Sequence, residues 1–279
     1  MIYRINSRSN QRVKDLIKKK DQYFFFEGEK LVKDILDRGI EISILIVNEK
    51  RENQGSATPA YSRSAGCRFF GDIISNVCRE NKVSQDIIKE TWFVSESVLE
   101  KISSLKEKPD FIAVLEWEEK PVDFQHSSVV IGLDSIQDPA NAGTVFRCAA
   151  AFGIDAVALT GISVNLNNSK FLRAAQDSFF KVNHQRFHDV ETLIREAEAA
   201  NFNIYLTSSH DSTYVIAPHH IESPCLILFG NEGQGLDKAL FERYPSVRVP
   251  QKDKVESLNA GVSACIIMYE VSLAFGIVK

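Results

Sequence analysis

Short apolar runs alternate with helix-like stretches through the second half of the chain. The runs fall at residues 129–133, 156–160, 203–207, 225–229 and 246–249. Each is four or five residues long, bounded by turn-forming residues, and apolar on both alternating positions. That pattern predicts strands buried on both faces of a parallel sheet. Helical periodicity covers 141–152, 169–179, 189–200, 236–243 and 257–275. The alternation predicts a parallel α/β domain of five or six strands. The first half reads differently. A helix is expected over 10–20, capped by Ser9 or Asn10, then a strand over 23–27. Gly28 opens a helix that ends near Arg38 and Gly39, and a strand follows over 42–47. Residues 48–70 lack a pattern and predict an irregular loop. Residues 93–94 are strand-like, Ser95 caps a helix to about 105, and 111–115 reads as a further strand. Residues 116–127 are acidic, contain Pro121 and lack periodicity. The expected division is a smaller αβα domain over 1–116, a linker over 117–127 and the parallel α/β domain over 128–279.

Composition narrows the class without changing this division. With 44% hydrophobic and 25% charged residues, the chain has a globular profile, not a disordered one. The most apolar late segment, 264–278, is short and interrupted by Glu270, so no membrane span is expected. Arg4, Arg8 and Arg12 break up any signal-like apolar core near the start. The five cysteines, Cys67, Cys78, Cys148, Cys225 and Cys265, form no CxxC pair, and they read as buried free thiols of a cytoplasmic protein. The net charge of −4 hides a local concentration of the opposite sign. Residues 1–20 hold seven lysines and arginines against Asp15. Arg8, Arg12, Lys14 and their neighbours could therefore form a phosphate-contacting arm, with an ordinary solvated helix face as the alternative.

Three blocks could carry chemistry. The first runs from the strand at 129–133 into a helix bearing Asn141 and Arg147. Both lie beyond the carboxyl end of a buried strand, where open α/β sheets bind ligands. An arginine among Val145, Phe146, Cys148 and Ala149 is costly unless something anionic meets it. The second block places Gly230, Asn231, Glu232, Gly233, Gln234 and Gly235 after an apolar strand. It matches neither GxGxxG in its usual place nor GxxxxGK[ST], and a tight strand-to-helix turn explains it as well. In the third block a strand ends at Val249-Pro250, and Ser257 is the expected N-cap of a long apolar helix, with Asn259 one turn in. His184 and His188 have the spacing of a metal pair, but no third ligand is apparent, so no metal is expected.

Together these blocks resemble the SpoU–TrmH family of S-adenosylmethionine-dependent RNA ribose 2′-O-methyltransferases, in the SPOUT superfamily. The first motif is Asp138-Pro139-Ala140-Asn141-Ala142-Gly143 with Arg147. The second is Phe229-Gly230-Asn231-Glu232-Gly233, and the third is Val249-Pro250 with Ser257-Leu258-Asn259. The resemblance spans 128–275. The opening SRSNQRVKDL, the segment FFFEGEKLVKDIL and the strand FIAVLE also resemble an accessory domain of some members, similar to a small ribosomal-protein fold that binds structured RNA. Two places depart from the family pattern: Gln176-Asp177 replaces a small Ser-x-Gly stretch, and Lys108-Pro109-Asp110 replaces a usual turn.

The resemblance implies a trefoil knot in the C-terminal domain, a homodimer, and S-adenosylmethionine as methyl donor. It implies Asn141, Arg147, Glu232, Ser257 and Asn259 as the catalytic group. Thr207, Gly230, Asn231, Gly233, Val249, Ser257 and Leu258 would line the cofactor site, and Arg8, Asn10, Arg12, Lys14 and Arg147 would touch RNA. No metal or covalent intermediate is implied, because a sulfonium already activates its methyl group. Arg147 is either the base that takes the hydroxyl proton or the group that holds the hydroxyl and a neighbouring phosphate. Ribosomal RNA is the expected substrate, on the strength of the accessory domain. Methylation of tRNA and a non-catalytic RNA-binding or assembly role are the alternatives.

Overall fold

The structure is a computed structural model that describes residues 1–50, 87–208, 214–215, 220–252 and 257–278. Two compact units divide the chain, 1–117 and 118–279. The irregular loop expected over 48–70 falls mostly outside the described residues, as do Cys67 and Cys78.

The first unit is built on a mixed five-stranded sheet. Its strands are β1 (Ile2–Ile5), β2 (Phe24–Glu27), β3 (Ile42–Asn48), β4 (Ile88–Val94) and β5 (Phe111–Leu115), in the order β1-β4-β3-β5-β2. β1, β4 and β3 run parallel, whereas β5 is antiparallel to both β3 and β2. Helices α1 (Gln11–Lys18), α2 (Glu29–Asp37) and α3 (Glu96–Ile102) complete it. Asn10 caps α1, its side chain accepting from the Arg12 N–H. Val13 and Leu16 of α1 pack with Ile46, Trp92, Val98 and Leu99 in one apolar cluster. One carboxylate is buried on this side of the chain. Glu27 is 7% exposed and accepts from Ser103 Oγ at 2.5 Å, Ser104 N at 3.1 Å and Ser104 Oγ at 2.9 Å. These bonds tie the exit of α3 to the end of β2.

The second unit is an all-parallel seven-stranded sheet. Its strands are β6 (Val129–Asp134), β7 (Ala156–Thr160), β8 (Asn183–Arg186), β9 (Asn203–Thr207), β10 (Tyr214–Val215), β11 (Cys225–Phe229) and β12 (Ser246–Arg248). Their order is β10-β12-β9-β11-β6-β7-β8. Every residue of β11 and the first five of β6 are buried, as expected for strands covered on both faces. The chain leaves β6 toward β7 and β8, then returns to the other side, where β11 inserts between β6 and β9. The β6–β11 seam is thus the place where the strand order reverses, and crevices open beyond the carboxyl ends of strands at such points.

Helix α4 (Pro139–Phe152) begins with a strong local signal. Asp138 accepts from the N–H groups of Ala140 and Asn141, Pro139 occupies the first turn, and Gly153 closes the helix at φ +67°. Helices α5 (Ser169–Ala175) and α7 (Ala260–Ala274) pack against α4, while α6 (Val190–Ala199) covers the other face through Leu193, Ile194 and Ala197. Gly143 makes the α4–α5 approach possible, because a Cβ there would lie 2.3 Å from that of Ala174.

Two expectations need correction. Ser257 does not cap the last helix. The cap is Asn259, whose side chain accepts from the Val262 N–H, and the helix starts at Ala260. The cysteines are not all free thiols either. Cys148 of α4 and Cys265 of α7 form a disulfide with a Cα–Cα distance of 5.5 Å. Helix packing placed them together, a proximity that a separation of 117 residues conceals. Cys225 is a buried free thiol whose pKa is pushed up to about 12 by burial.

Candidate active site

Three residues far apart in sequence meet at the carboxyl edge of the second sheet. Asn141 comes from the first turn of α4, Glu232 from the loop after β11, and Asn259 from the N-cap of α7. Asn141 Nδ2 donates to Glu232 Oε1 at 2.7 Å. Asn259 Nδ2 donates to Asn141 Oδ1 at 2.8 Å, and Asn259 Oδ1 accepts from the Val262 N–H at 3.2 Å. The chain of bonds has one sense only. A helix N–H can only donate and a carboxylate can only accept, so both amides are fixed in orientation from their outer ends. Asn141 is 9% exposed. A nearly buried amide with both its oxygen and its nitrogen engaged costs little, whereas one left unpaired would cost about 1–3 kcal/mol.

The loop carrying Glu232 is held separately. Asn231 Nδ2 donates to the Ser135 carbonyl at 2.9 Å, and Asn231 Oδ1 accepts from the N–H groups of Gly233 and Gln234. Gly230 must be glycine for this loop to fold back, since a Cβ there would lie 2.4 Å from the Gly235 carbon and the Leu236 nitrogen.

Of the residues expected to line a cofactor site, Thr207, Gly230 and Val249 stand at or just past the ends of β9, β11 and β12, which are neighbours in the sheet. Thr207 Oγ1 donates to the Leu228 carbonyl at 2.9 Å and so ties two of these strand ends together. Asn231 and Gly233 share the Glu232 loop, and Leu258 is half-buried beside the Asn259 cap. The set is rich in neutral backbone and hydroxyl groups, with Glu232 as its carboxylate. Such a set suits a purine and an amino-acid moiety approached through main-chain groups, and the residues present fit S-adenosylmethionine.

Arg147 stands apart from this cluster. It is exposed, six residues and about 9 Å along α4 from Asn141, and turned roughly 120° away from it. It forms no hydrogen bond or ion pair among the described residues. Ser257 is exposed and likewise makes no hydrogen bond among them. The two histidines with metal-like spacing point to different environments: His184 is 1% exposed, whereas the side chain of His188 is 90% exposed and pairs with Asp189. No cluster of three potential metal ligands occurs among the described residues.

In the first unit, Arg8 is engaged by Glu100 and by the Ser97 carbonyl. Asn10 is spent as a helix cap, Arg12 lies over the Tyr3 ring, and Lys14 is exposed. Two contributors to the second unit's site escaped sequence reasoning. Asp138 anchors the backbone of Asn141, and its Asp-Pro signature was available as a helix start. Ser135 offers its carbonyl to Asn231 from a left-handed backbone, φ +57°, for which no sequence signal exists.

Comparison with known proteins agrees with this geometry. The model of the SpoU rRNA Methylase family matches residues 128–269. The 23S rRNA (guanosine(2553)-2′-O)-methyltransferase RlmP of Bacillus subtilis (strain 168) is 30% identical over 276 residues, 96% of this chain and 98% of that protein. Among solved structures, an AdoMet-bound rRNA methyltransferase from Sinorhizobium meliloti matches with a TM-score of 0.74 at 23% identity, covering 97% of each chain. The SpoU methyltransferase AviRb from Streptomyces viridochromogenes, in complex with AdoMet, also matches at 0.74, with 19% identity over 95% and 97% of the two chains. These two likenesses bear on the fold; the family rests on the model match and the B. subtilis relative. The chain therefore belongs to the SpoU rRNA methylase family, whose members use S-adenosylmethionine to methylate RNA ribose 2′-hydroxyls.

Proposed function

We propose that this protein methylates a ribose 2′-hydroxyl of 23S ribosomal RNA in the cytoplasm, with the two units dividing the work between RNA capture, 1–116, and methyl transfer, 128–279. The observation that carries the reading is the Asn141–Glu232–Asn259 chain, which draws all three motifs to one strand edge. The RNA class follows from the B. subtilis relative, which spans nearly the whole chain and is named for 23S rRNA.

When bound, S-adenosylmethionine supplies a methyl group already activated by its sulfonium. Thr207, Gly230, Asn231, Gly233, Val249, Ser257 and Leu258 would hold the cofactor. The protein's own part is to place the hydroxyl in line and to stabilise the charge that develops as its proton leaves. Arg147 suits that part. A guanidinium is a durable cation, and among the described residues this one has no partner to compete for it. It holds the hydroxyl and an adjacent phosphate, while the amide chain keeps Glu232 and Asn259 fixed at the strand edge.

A homodimer belongs to the same reading, as does the family's knot. On and just past α7, Val262, Tyr269, Leu273 and Ile277 are 46%, 45%, 39% and 37% exposed, at spacings of seven, four and four. They form one apolar stripe on a helix whose opposite side is already buried, the pattern of a surface awaiting a partner. A second copy would bring further groups toward Arg147.

The test uses purified protein, tritiated S-adenosylmethionine and 23S rRNA from cells lacking the gene, with 2′-O-methyl sites mapped by resistance to alkaline cleavage. One protected nucleotide is expected. Arg147→Ala should bind cofactor as the wild type does but lose turnover by about 10²–10³-fold, the usual loss for one charge-stabilising group. Full turnover in that variant would refute the role of Arg147. RNA binding without any methyl transfer would replace the enzymatic reading with an assembly role, and label recovered only in tRNA would change the substrate.

A further inference from the structure

An open cleft of about 180 Å³ lies beside α1 in the first unit. Arg12, Asp15, Leu16 and Lys19 form one wall, at the i, i+3, i+4, i+7 spacing of a single helix face, and Tyr23 and Trp92 supply aromatic surface opposite. The Arg12 guanidinium is held in place. Its central carbon lies 3.7 Å from the Tyr3 ring centroid, and Nη1 is 3.6 Å from Glu90 Oε2. The same Glu90 oxygen accepts from Trp92 Nε1 at 2.8 Å. A guanidinium is planar with two stacking faces, and Tyr3 covers one of them. Lys19 is exposed, with no ion pair among the described residues, and the same holds for Lys14 and Lys18 farther round the helix. Fixed planar groups inside a small cleft, with unpaired cations along its flank, match a flexible polyanion that carries flat rings. Single-stranded nucleic acid is that ligand.

We propose that this cleft receives one unpaired base of the substrate RNA, stacked on the open face of Arg12 and against Tyr23, with Lys19 on the adjoining phosphate. The identity of the polymer rests on the RNA-methyltransferase reading; the cleft itself does not. Asn10 and Leu16 keep their structural tasks in this arrangement, one capping α1 and the other packing it.

The experiment measures affinity for 23S rRNA from cells lacking the gene by filter binding, alongside photocrosslinking to the same RNA transcribed with 4-thiouridine or 6-thioguanosine. Tyr23→Ala and Arg12→Lys should each weaken binding roughly five- to a hundredfold, the range for one stacked base, while Tyr23→Phe stays within twofold. Arg12→Lys keeps the charge and loses only the plane, so near-wild-type affinity in that variant would overturn the stacking. Melting temperature and S-adenosylmethionine affinity should be unchanged in every variant, which separates a lost contact from a lost fold. Crosslinks should map to peptides containing Tyr3, Arg12, Tyr23 or Trp92. Crosslinks confined to other peptides, with all variants binding within twofold of wild type, would overturn the cleft and leave the methyltransferase reading intact. Crosslinking through the cleft with no methyl transfer would do the reverse.

Discussion

One amide, that of Asn259, closes both a helix and a site. Its oxygen caps α7 and its nitrogen orients Asn141, so its substitutions separate the two tasks. Asn259→Ala should lower the melting temperature by several degrees, because a lost cap costs about 1 kcal/mol and Asn141 Oδ1 also loses its donor. Ser257→Ala, two residues earlier, should leave the melting temperature unchanged, since Ser257 caps nothing. Asn259→Asp should keep the cap but set a carboxylate against Asn141 Oδ1, and scanning calorimetry of the three variants reads all of this. His184 shows a different residue-level constraint. Its Nδ1 donates to the Val182 carbonyl at 2.9 Å, and its ring sits 4.7 Å from that of Phe179. Burial holds its pKa below the usual 6.5, opposed more weakly by the hydrogen bond to the Val182 carbonyl and then by Glu119. Below about pH 6.5 the unfolded chain takes up a proton that the folded chain refuses, so stability should fall as pH drops through that window. Urea midpoints at pH 7.5 and 5.5 should therefore differ in wild type, and His184→Gln should shrink the difference; an unchanged difference would exclude His184 as its source.

Elements with local signals were legible in the sequence, and those fixed by distant partners were not. The runs at β6, β7, β9 and β11 were legible because strands buried on both faces are apolar without interruption. Helix α4 was legible over 141–152 with Gly153 as its stop, whereas its true start at Pro139, signalled by Asp138, was missed by two residues. β1 was not legible, because two of its four residues, Ile2 and Arg4, are exposed, only Ile5 is buried, and the strand pairs only with β4, some ninety positions later. The helix expected over 236–243 is a 3₁₀ turn at Lys238–Glu242, cut short before Pro245. The one expected over 169–179 breaks at Gln176, φ +52°, and continues as a 3₁₀ turn. Within the candidate site, the three motifs name Asn141, Glu232 and Asn259, which the structure brings together. The bonds between them were not legible, since they join positions 91 and 118 residues apart. The disulfide was hidden for the same reason. It joins the helix carrying Asn141 and Arg147 to the helix capped by Asn259. Cys265→Ser, or reduction of wild type, should cost about 2–4 kcal/mol in denaturant unfolding. A two-dalton mass increase on reduction would verify the bond first.

At the scale of the whole molecule, a run of cations opens the first unit and an exposed apolar stripe marks α7 of the second. The cations of residues 1–20 sit in a chain whose net charge is −4, so RNA attraction is local and should weaken steeply with salt. The exposed stripe on α7 belongs to the other unit; if the proposed homodimer forms through it, wild type should scatter light as a dimer and Leu273→Glu as a monomer. A wild type monomeric at micromolar concentration would remove the need for a second copy. The β6–β11 seam has a temporal consequence as well. Strand β6 emerges from the ribosome nearly a hundred residues before β11, the partner that must slot in beside it, and Asn259 comes later still. Parallel pairing over such separations is slow to nucleate. A nascent chain halted before residue 259 has Arg147 and the glycine loop but lacks the donor that engages Asn141 Oδ1. The Asn141–Glu232–Asn259 chain can close only after the last motif has been synthesised, so a nascent chain halted before residue 259 should transfer no tritiated methyl group.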